Sequence, residues 1–140
     1  MIVVFGDARS ETVAALKSGL ATATQPYAAG VTVGERIPSL RSADDPQLPY
    51  VLVAVDGTPG VKYPIVAYST VRVVVWHTNP DRANDLAQLC QGVLCSSSGD
   101  RLAHCAPATG PIPAVDPDGD IDMSWFTVTA SMRGSDVSAD

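Results

Sequence analysis

The sequence predicts an α+β fold in which two helices pack on one face of a mostly antiparallel sheet. Segments that favour helices and strands follow one another in the order helix, strands, helix, strands, and the links between them have hairpin or loop length. No internal repeat or linker divides the 140 residues, which suffice to bury roughly two-thirds of the surface of the unfolded chain. We therefore expect a single domain over residues 1–134 and a disordered tail over residues 135–140.

Two segments have the apolar spacing of an amphipathic helix. The first follows Asp7 or Ser10, either of which can cap it. The second is the stronger, because Asn79 is a good N-cap and Pro80 suits the first helical position. Apolar residues three and four positions apart line one face of each helix: Val13, Leu16 and Leu20 in the first, and Ala83, Leu86, Ala87, Cys90, Val93 and Leu94 in the second.

Runs of β-branched and alternating apolar residues predict the strands. The strongest run is residues 65–77, and the last is residues 124–133. A further strand at residues 50–55 is expected to stop at Asp56-Gly57, and the link after it is too long for a two-residue hairpin. Residues 39–49 hold two prolines and adjacent aspartates, which predict a loop. Weaker signals indicate a short strand within residues 31–38, a strand at 101–109 and extended chain at 110–115.

The strand at residues 65–77 carries apolar residues on both faces, which is unusual for a sheet with one face in water. Trp76 and Trp125 each lie opposite the aliphatic face of their strand. Either loops of the same chain cover this second face, or another subunit packs on it. Charged residues make up only 17% of the chain, which favours another subunit.

Composition and charge exclude several classes of function. The chain has two lysines and seven scattered arginines, too few in any one place to neutralise a run of phosphates, so we expect no tight nucleic-acid binding. No apolar run is long enough for a signal peptide or a membrane span, so we expect synthesis in the cytoplasm and no membrane partner. Three cysteines are an odd number, which makes a disulfide framework improbable in that compartment.

The stretch "VDPDGDIDMSW", residues 115–125, resembles a calcium loop but fails its spacing. Counted from Asp116, the glycine is at position 4 rather than 6, and position 12 is Thr127 rather than glutamate. Pro117, Asp118 and Gly119 instead suit a tight turn that leads into the last strand. This stretch accounts for four of the fifteen acidic residues, leaving eleven acids against nine bases, a net charge of −2, elsewhere.

Other arrangements of reactive residues give no catalytic or metal centre. Cys90 and Cys95 are five residues apart on a helix and so lie on different faces, unlike the cysteine pairs of zinc knuckles. The two histidines, His77 and His104, do not neighbour a glycine-framed serine. We predict no enzyme activity, no cofactor and no metal. The alternative from a different class is a small metal-binding hydrolase that uses His104 and Cys105.

Over residues 7–134 the chain resembles the tail terminator, or tail completion, proteins of long-tailed siphophages, particularly those of phages that infect actinobacteria. The resemblance lies in an ordered series of segments: "VAALKSGLA", then "RIPSLR" leading to "PYVLVAVDG", then "STVRVVVWHTNPDRANDLAQLCQGVL" and finally "DPDGDIDMSWFTVTASMRG". In the last segment, the aspartate-proline loop, the aromatic strand and the pair Arg133-Gly134 are typical of the family.

The resemblance implies a tail-terminator-like α+β subunit of a structural virion protein at the junction between tail and neck. Its partners would be copies of itself in a homohexameric ring, the major tail tube protein, and a head–tail connector or neck protein. The ring would cap the tail tube, end its polymerisation and let genomic DNA pass without specific binding. A neck or head-completion protein one ring higher is the alternative within the same class.

Within this reading we predict two groups of site residues. Residues at ring-to-ring or subunit contacts are Asp56, Gly57, Thr58, Pro59, Gly60, Lys62, Tyr63, Arg72, Trp76, Trp125 and Arg133. An acidic loop at the channel or the rim consists of Asp116, Asp118, Asp120 and Asp122.

Overall fold

A computed structural model describes residues 1–36, 48–116 and 121–138. The strands are β1 (Val3–Phe5), β2 (Thr32–Gly34), β3 (Tyr50–Lys62), β4 (Val66–His77), β5 (Leu102–Val115) and β6 (Asp122–Asp136). The helices are α1 (Ala8–Ala21) and α2 (Pro80–Cys95), and a 3-10 turn spans Pro26–Ala28. The predicted α+β class is confirmed: a largely antiparallel sheet is covered on one face by the two helices.

The central strands of the sheet are β4 and β6, whose antiparallel ladder runs without interruption from Val66 opposite Arg133 to His77 opposite Asp122. β3 extends the sheet beyond β4, and the short β2 pairs with β3 in parallel. β5 and β1 lie on the other side of β6. β5 pairs with residues 122–132 of β6, and β1 pairs with the last three residues of β6, Gly134–Asp136. β5 is an edge strand, which explains how it accommodates Pro107, Pro111 and Pro113.

The hydrophobic core lies between the sheet and the helices. Alternate residues of β4 and β6 face it, and Val71, Val73, Val75, Phe126 and Val128 are all fully buried there. The helices contribute the apolar faces that the sequence predicted, including Leu16, Leu20, Leu86 and Leu94. Both predicted helix starts are confirmed as well: the Asp7 carboxylate accepts from the backbone N–H of Arg9, and the Asn79 side chain accepts from those of Asp81 and Arg82.

Two expectations about element ends are wrong. β3 does not stop at Asp56-Gly57: it continues to Lys62 opposite β4, with register shifts at Gly57 and Gly60, so the predicted connection is mostly strand. Gly57, which adjoins both shifts and has a φ of 144°, allows the irregular backbone there. The expected disordered tail is likewise not found at Ser135 and Asp136, which pair with β1.

β1 itself was not predicted, because three residues are too few for a periodic signal. β6 holds β1 in the sheet, because the last residues of β6 are the hydrogen-bond partners of β1. Gly134 permits the close approach: a Cβ there would lie 2.7 Å from the carbonyl oxygen of Pro64 and would overlap Val3. Residues 39–47 of the predicted loop at 39–49 and the predicted turn at Pro117, Asp118 and Gly119 lie outside the described residues.

The two helices touch where α1 has a glycine. A Cβ on Gly19 would overlap the γ-methyl group of Val93 in α2, and Val93 cannot easily turn away because its χ1 is restricted. Gly92, one residue earlier in α2, has open space around the same position. The two helical glycines therefore differ in role, since Gly19 sets the distance between the helices and Gly92 does not.

We expect Gly19→Ala to lower the free energy of unfolding by about 1–3 kcal/mol, although alanine is the better helix former, because the methyl group overpacks the contact with Val93. The matched control Gly92→Ala should raise it by about 0.5–1 kcal/mol. Urea unfolding measures both. Adding Val93→Ala to Gly19→Ala should recover part of the loss, and equal effects of the two glycine substitutions would contradict this account.

Candidate interaction surface

The face of the sheet that the helices leave uncovered is the candidate functional site. Its residues alternate with the core residues along each strand, and the registers align them in rows across the sheet. One row holds Tyr50, Trp76, Met123 and Ala114. The next holds Leu52, Val74, Trp125 and Ile112. Both rows are apolar, and they lie on the face that α1 and α2 leave uncovered.

The first row is closed by the chain itself. Trp76 is only 4% exposed, packs edge-on against the Tyr50 ring at 6.2 Å between centroids, and clusters with Ile121. Its indole N–H donates to the Asp116 carboxylate at 2.8 Å, and the Tyr50 hydroxyl donates to the carbonyl of Arg36 at 2.5 Å. The prediction of Trp76 as a contact for another subunit is therefore wrong, because residues of the same chain cover it.

The second row remains open as far as the described residues are concerned. Arg72, Val74, Met123 and Trp125 line a shallow groove of about 240 Å³, and none of these side chains is fully buried. Arg72 reaches the Asp56 carboxylate at 3.4 Å, with both side chains well exposed, so this ion pair contributes little stability and leaves both charges accessible. The groove thus has an apolar floor with a charged pair at one side.

Beyond the groove the same face becomes polar. The next rows contain Arg72 with Thr127, then Thr70 with Thr129, then Tyr68 with Ser131. A threonine-rich surface of this kind is typical of a water-facing sheet. The apolar character of the uncovered face is therefore concentrated in the rows around Trp125.

A second exposed apolar surface lies at the end of the hairpin formed by β3 and β4. Val61, Tyr63 and Ile65 are 54%, 59% and 74% exposed. The Tyr63 hydroxyl accepts from the backbone N–H of Val3 at 2.9 Å, and its ring meets that of Phe5 edge-on at 6.4 Å. β1 therefore braces the hairpin end. Ile2, Val4 and Val137 add exposed apolar area close to it.

The other predicted contact residues lie along the same hairpin or beside it. Asp56, Gly57, Thr58 and Pro59 are exposed, Gly60 is half-buried and Lys62 is exposed. Arg133 is exposed but anchored, because its guanidinium donates to the carbonyl of Gly99 and its backbone N–H to that of Arg101. The structure thus separates the predicted residues into the sheet-face groove and the hairpin.

The four residues of the predicted acidic loop also have to be taken separately. Asp116 is 4% exposed and accepts from Trp76, so its carboxylate is part of the fold and the prediction that it lines a channel or rim is wrong. Asp122 is half-buried at the start of β6. Asp118 and Asp120 lie outside the described residues.

Two of the cysteines, Cys90 and Cys105, are buried in the core, where their thiols are not reactive. Burial raises the pKa of the Cys90 thiol to about 12 and that of Cys105 to about 11, so both remain protonated and unreactive at neutral pH. Cys105 is buried in the core, whereas His104, its neighbour along β5, is exposed, so the two cannot act together. Over residues 1–36, 48–116 and 121–138, no three His, Cys, Asp or Glu side chains come close enough to hold a metal ion.

His77 is held as a neutral imidazole in one tautomer. Its Nδ1 accepts from the backbone N–H of Thr78 at 2.9 Å, so the proton is on Nε2, which lies 3.0 Å from the carbonyl oxygen of Tyr27. Burial lowers the pKa of His77 below 6.5, and the charge of Arg82 acts in the same direction. The side chain therefore joins β4 to the turn before β2 and has no free nitrogen for catalysis.

Sequence reasoning missed several apolar residues of the two surfaces. Leu52 and Met123 could have been found, because each lies at an alternate position opposite the core face of its strand. Val61 could not, because the segment that holds it was read as a connection rather than a strand, and Ile65 was read as the first residue of the strand at residues 65–77 rather than as part of an exposed turn.

No family model and no curated protein sequence matches the chain. Among solved structures, the chain is similar to "Structure of bacteriophage SPP1 gp17 protein", with 16% sequence identity and a TM-score of 0.46 over 94% of this chain and 90% of that chain. Similarity at this level does not establish a shared function, and it gives no support for a link to phages of actinobacteria. Neither helix in the described ranges is long and apolar enough to span a lipid bilayer.

The environment of His77 predicts a pH dependence of stability. Below about pH 6.5 the unfolded chain binds a proton at this imidazole that the folded chain resists, so the free energy of unfolding should fall as the pH is lowered from 7.5 to 5. His77→Gln should reduce this dependence, and His104→Gln, at an exposed position, is the matched control. Urea unfolding at several pH values measures it, and an unchanged slope in His77→Gln would contradict the assignment.

Proposed function

We propose that this chain is a tail terminator subunit of a siphophage, which forms a homohexameric ring that caps the tail tube, ends its polymerisation and joins the tail to the neck. The sequence supports the proposal through the ordered series of segments that resembles this family. The structural observation that carries it is the apolar row of Leu52, Val74, Trp125 and Ile112 on the sheet face that α1 and α2 leave uncovered. A contiguous apolar surface of this kind marks a site of protein association.

The proposed role requires two different contact surfaces on each subunit. A head-to-tail ring uses one patch to meet the next subunit's second patch, and the ring closes when the rotation between neighbours divides a full turn. The sheet-face groove supplies one such patch. The side chains around it, an aromatic and an arginine among aliphatic groups, are those enriched at the centres of protein interfaces.

To end tube polymerisation, the ring must bind the tube on one rim and must not bind a further tube subunit on the other rim. The hairpin segment Asp56–Tyr63 is largely exposed and is a candidate for the contact with tube or neck. Nothing in the described residues assigns one rim to one partner, so a neck protein placed one ring higher is the outcome that the experiment must separate.

The purified protein should cap preformed tail tubes. We expect rings at tube ends in negative-stain images when it is mixed with the tube subunit from the same genome, and tubes that stop lengthening on addition of more tube subunit. Trp125→Ser, which removes the aromatic from the groove, should reduce the fraction of capped ends by about tenfold. Ser18→Ala, at an exposed site on α1, is the control.

Protein that never associates with tubes would overturn the proposal. Association with the portal or neck side alone, with tube length unaffected when the gene is deleted, would favour the neck alternative.

We also propose that Asp118, Asp120 and Asp122 lie at the channel or the rim and repel DNA during its passage. Changing these three to asparagine should slow or strand genome ejection, because it removes negative charge that opposes sticking of phosphates. Asp116 is left unchanged, since it accepts from the buried indole of Trp76. Ejection kinetics from assembled virions measure the effect, and an unchanged rate and infectivity would count against the idea.

A further inference from the structure

The ladder between β5 and β6 contains an irregularity beside the sheet-face groove. Thr109 lies opposite Thr127 and Ile112 lies opposite Trp125, so two residues of β5 stand between these pairs against one residue of β6. An extra residue of this kind is a β-bulge, which bends its strand and changes the direction of the side chains that follow it. The side chains of β5 beyond the bulge therefore depend on it for the face that they occupy.

Glycine is the residue that fits the bulge. Gly110 has a φ of 90°, a conformation that residues with a side chain rarely adopt. A Cβ at this position would also lie 2.7 Å from the carbonyl oxygen of Trp125 and 2.9 Å from the Cβ of Phe126. A side chain here would thus strain the backbone of β5 and overlap β6.

Hydrogen bonds from the core side hold β5 on both flanks of the bulge. Before it, the Gln91 side chain in α2 donates to the carbonyl oxygen of Thr109 at 3.5 Å. After it, the fully buried Ser124 hydroxyl shares its proton between the carbonyl oxygen of Ile112 at 3.4 Å and the Asn84 side chain at 3.3 Å. These contacts favour the bulged register over a regular one.

The bulge decides which side chain of β5 lies next to Trp125 on the uncovered face. Residues opposite one another in a ladder share a face, so Ile112 lies on the face of Trp125. Regular alternation from Thr109 would instead place Pro111 on that face and turn Ile112 towards the helices. Because Ile112 is 38% exposed, the bulge supplies an accessible apolar side chain to the row that contains Trp125.

The outer edge of β5 is unsuited to pairing with a strand of another subunit. Pro107, Pro111 and Pro113 have no N–H to donate, and three register shifts interrupt the regular spacing of the strand. Prolines and bulges are devices that prevent the addition of a strand to a sheet edge. A neighbour on this side of the groove would therefore contact side chains of the face rather than the backbone of the edge.

We infer that Gly110 is a positioning residue of the subunit contact, because its bulge turns Ile112 onto the uncovered face, where a second copy of this chain covers it together with Trp125. The inference rests on the proposed ring. It adds that the contact extends across β6 onto β5 and that a glycine outside the contact determines the shape of the surface there.

Methyl NMR of isoleucine-labelled protein tests what the bulge does within one subunit. We expect a nuclear Overhauser effect between the Ile112 methyl groups and the Trp125 indole, and its loss in Gly110→Ala. The contact of Ile121 with Trp76 is the internal control and should persist in both proteins. Absence of the Ile112 signal in the unmodified protein, or its persistence in Gly110→Ala, would overturn the inference.

Capping of tail tubes tests the role of Ile112 in the contact. Ile112→Asp should reduce the fraction of capped tube ends by about tenfold. Val115→Asp is the matched control and should leave that fraction unchanged, because Val115 is 64% exposed but its pairing with Asp122 places it on the other face of the sheet. Circular dichroism checks that both variants are folded.

A double-mutant cycle separates positioning from a loss of stability. Gly110→Ala should also reduce capping, and adding Ile112→Asp to it should cause little further loss, because both changes remove the same side chain from the contact. Fully additive losses would overturn the inference, since Gly110 would then act independently of Ile112.

Normal capping by Ile112→Asp, with capping impaired in Trp125→Ser, would overturn the inference and leave the proposed function standing. Failure of the unmodified protein to cap tubes would overturn the proposed function and the inference with it.

Discussion

The structure depends above all on the antiparallel ladder between β4 and β6. Its twelve residue pairs, from Val66–Arg133 to His77–Asp122, run without a register shift and fix which side chains face each side of the sheet. A slip by one residue would move Val73 and Phe126 out of the core and Trp125 into it. The helices, the edge strands and both apolar surfaces take their positions from this pairing.

The ladder also explains why the two tryptophans differ although they lie on the same face. Trp76 pairs with Met123 and lies beside Tyr50, where Asp116 and Ile121 at the end of the β5–β6 hairpin close over it. Trp125 pairs with Val74, two residues further along, beyond the reach of those groups. Asp116 and Ile121 thus complete a small core at one end of the face, and the groove around Trp125 lies beside it.

Much of the fold could be predicted from the sequence because its signals are local. The N-caps at Asp7 and Asn79, the helical spacing of Leu86 and Leu94 and the alternation in β4 and β6 each depend on neighbours along the chain. The course of β3 beyond Asp56 could not be predicted, since glycines and a proline usually mark a turn, and here pairing with β4 overrides that preference. β1 depends on partners more than 120 residues away and leaves no local signal.

The candidate site was predicted in part for the same reason. Alternation places Arg72 and Trp125 on the outer face, but burial of Trp76 and Asp116 depends on contacts between distant segments. Similarly, the sequence predicted Lys62 and Tyr63 as contact residues but not Val61 and Ile65 beside them. The exposure of Val61 and Ile65 follows from the hairpin that β3 forms with β4.

The central claim is that the uncovered face of the sheet is a contact between subunits. A cryo-EM reconstruction of the protein bound at the end of a tail tube tests it most directly. We expect a closed ring in which Trp125, Val74 and Leu52 are buried against a neighbouring copy. A ring in which this face is exposed to solvent or lines the channel, with subunits joined elsewhere, would contradict it.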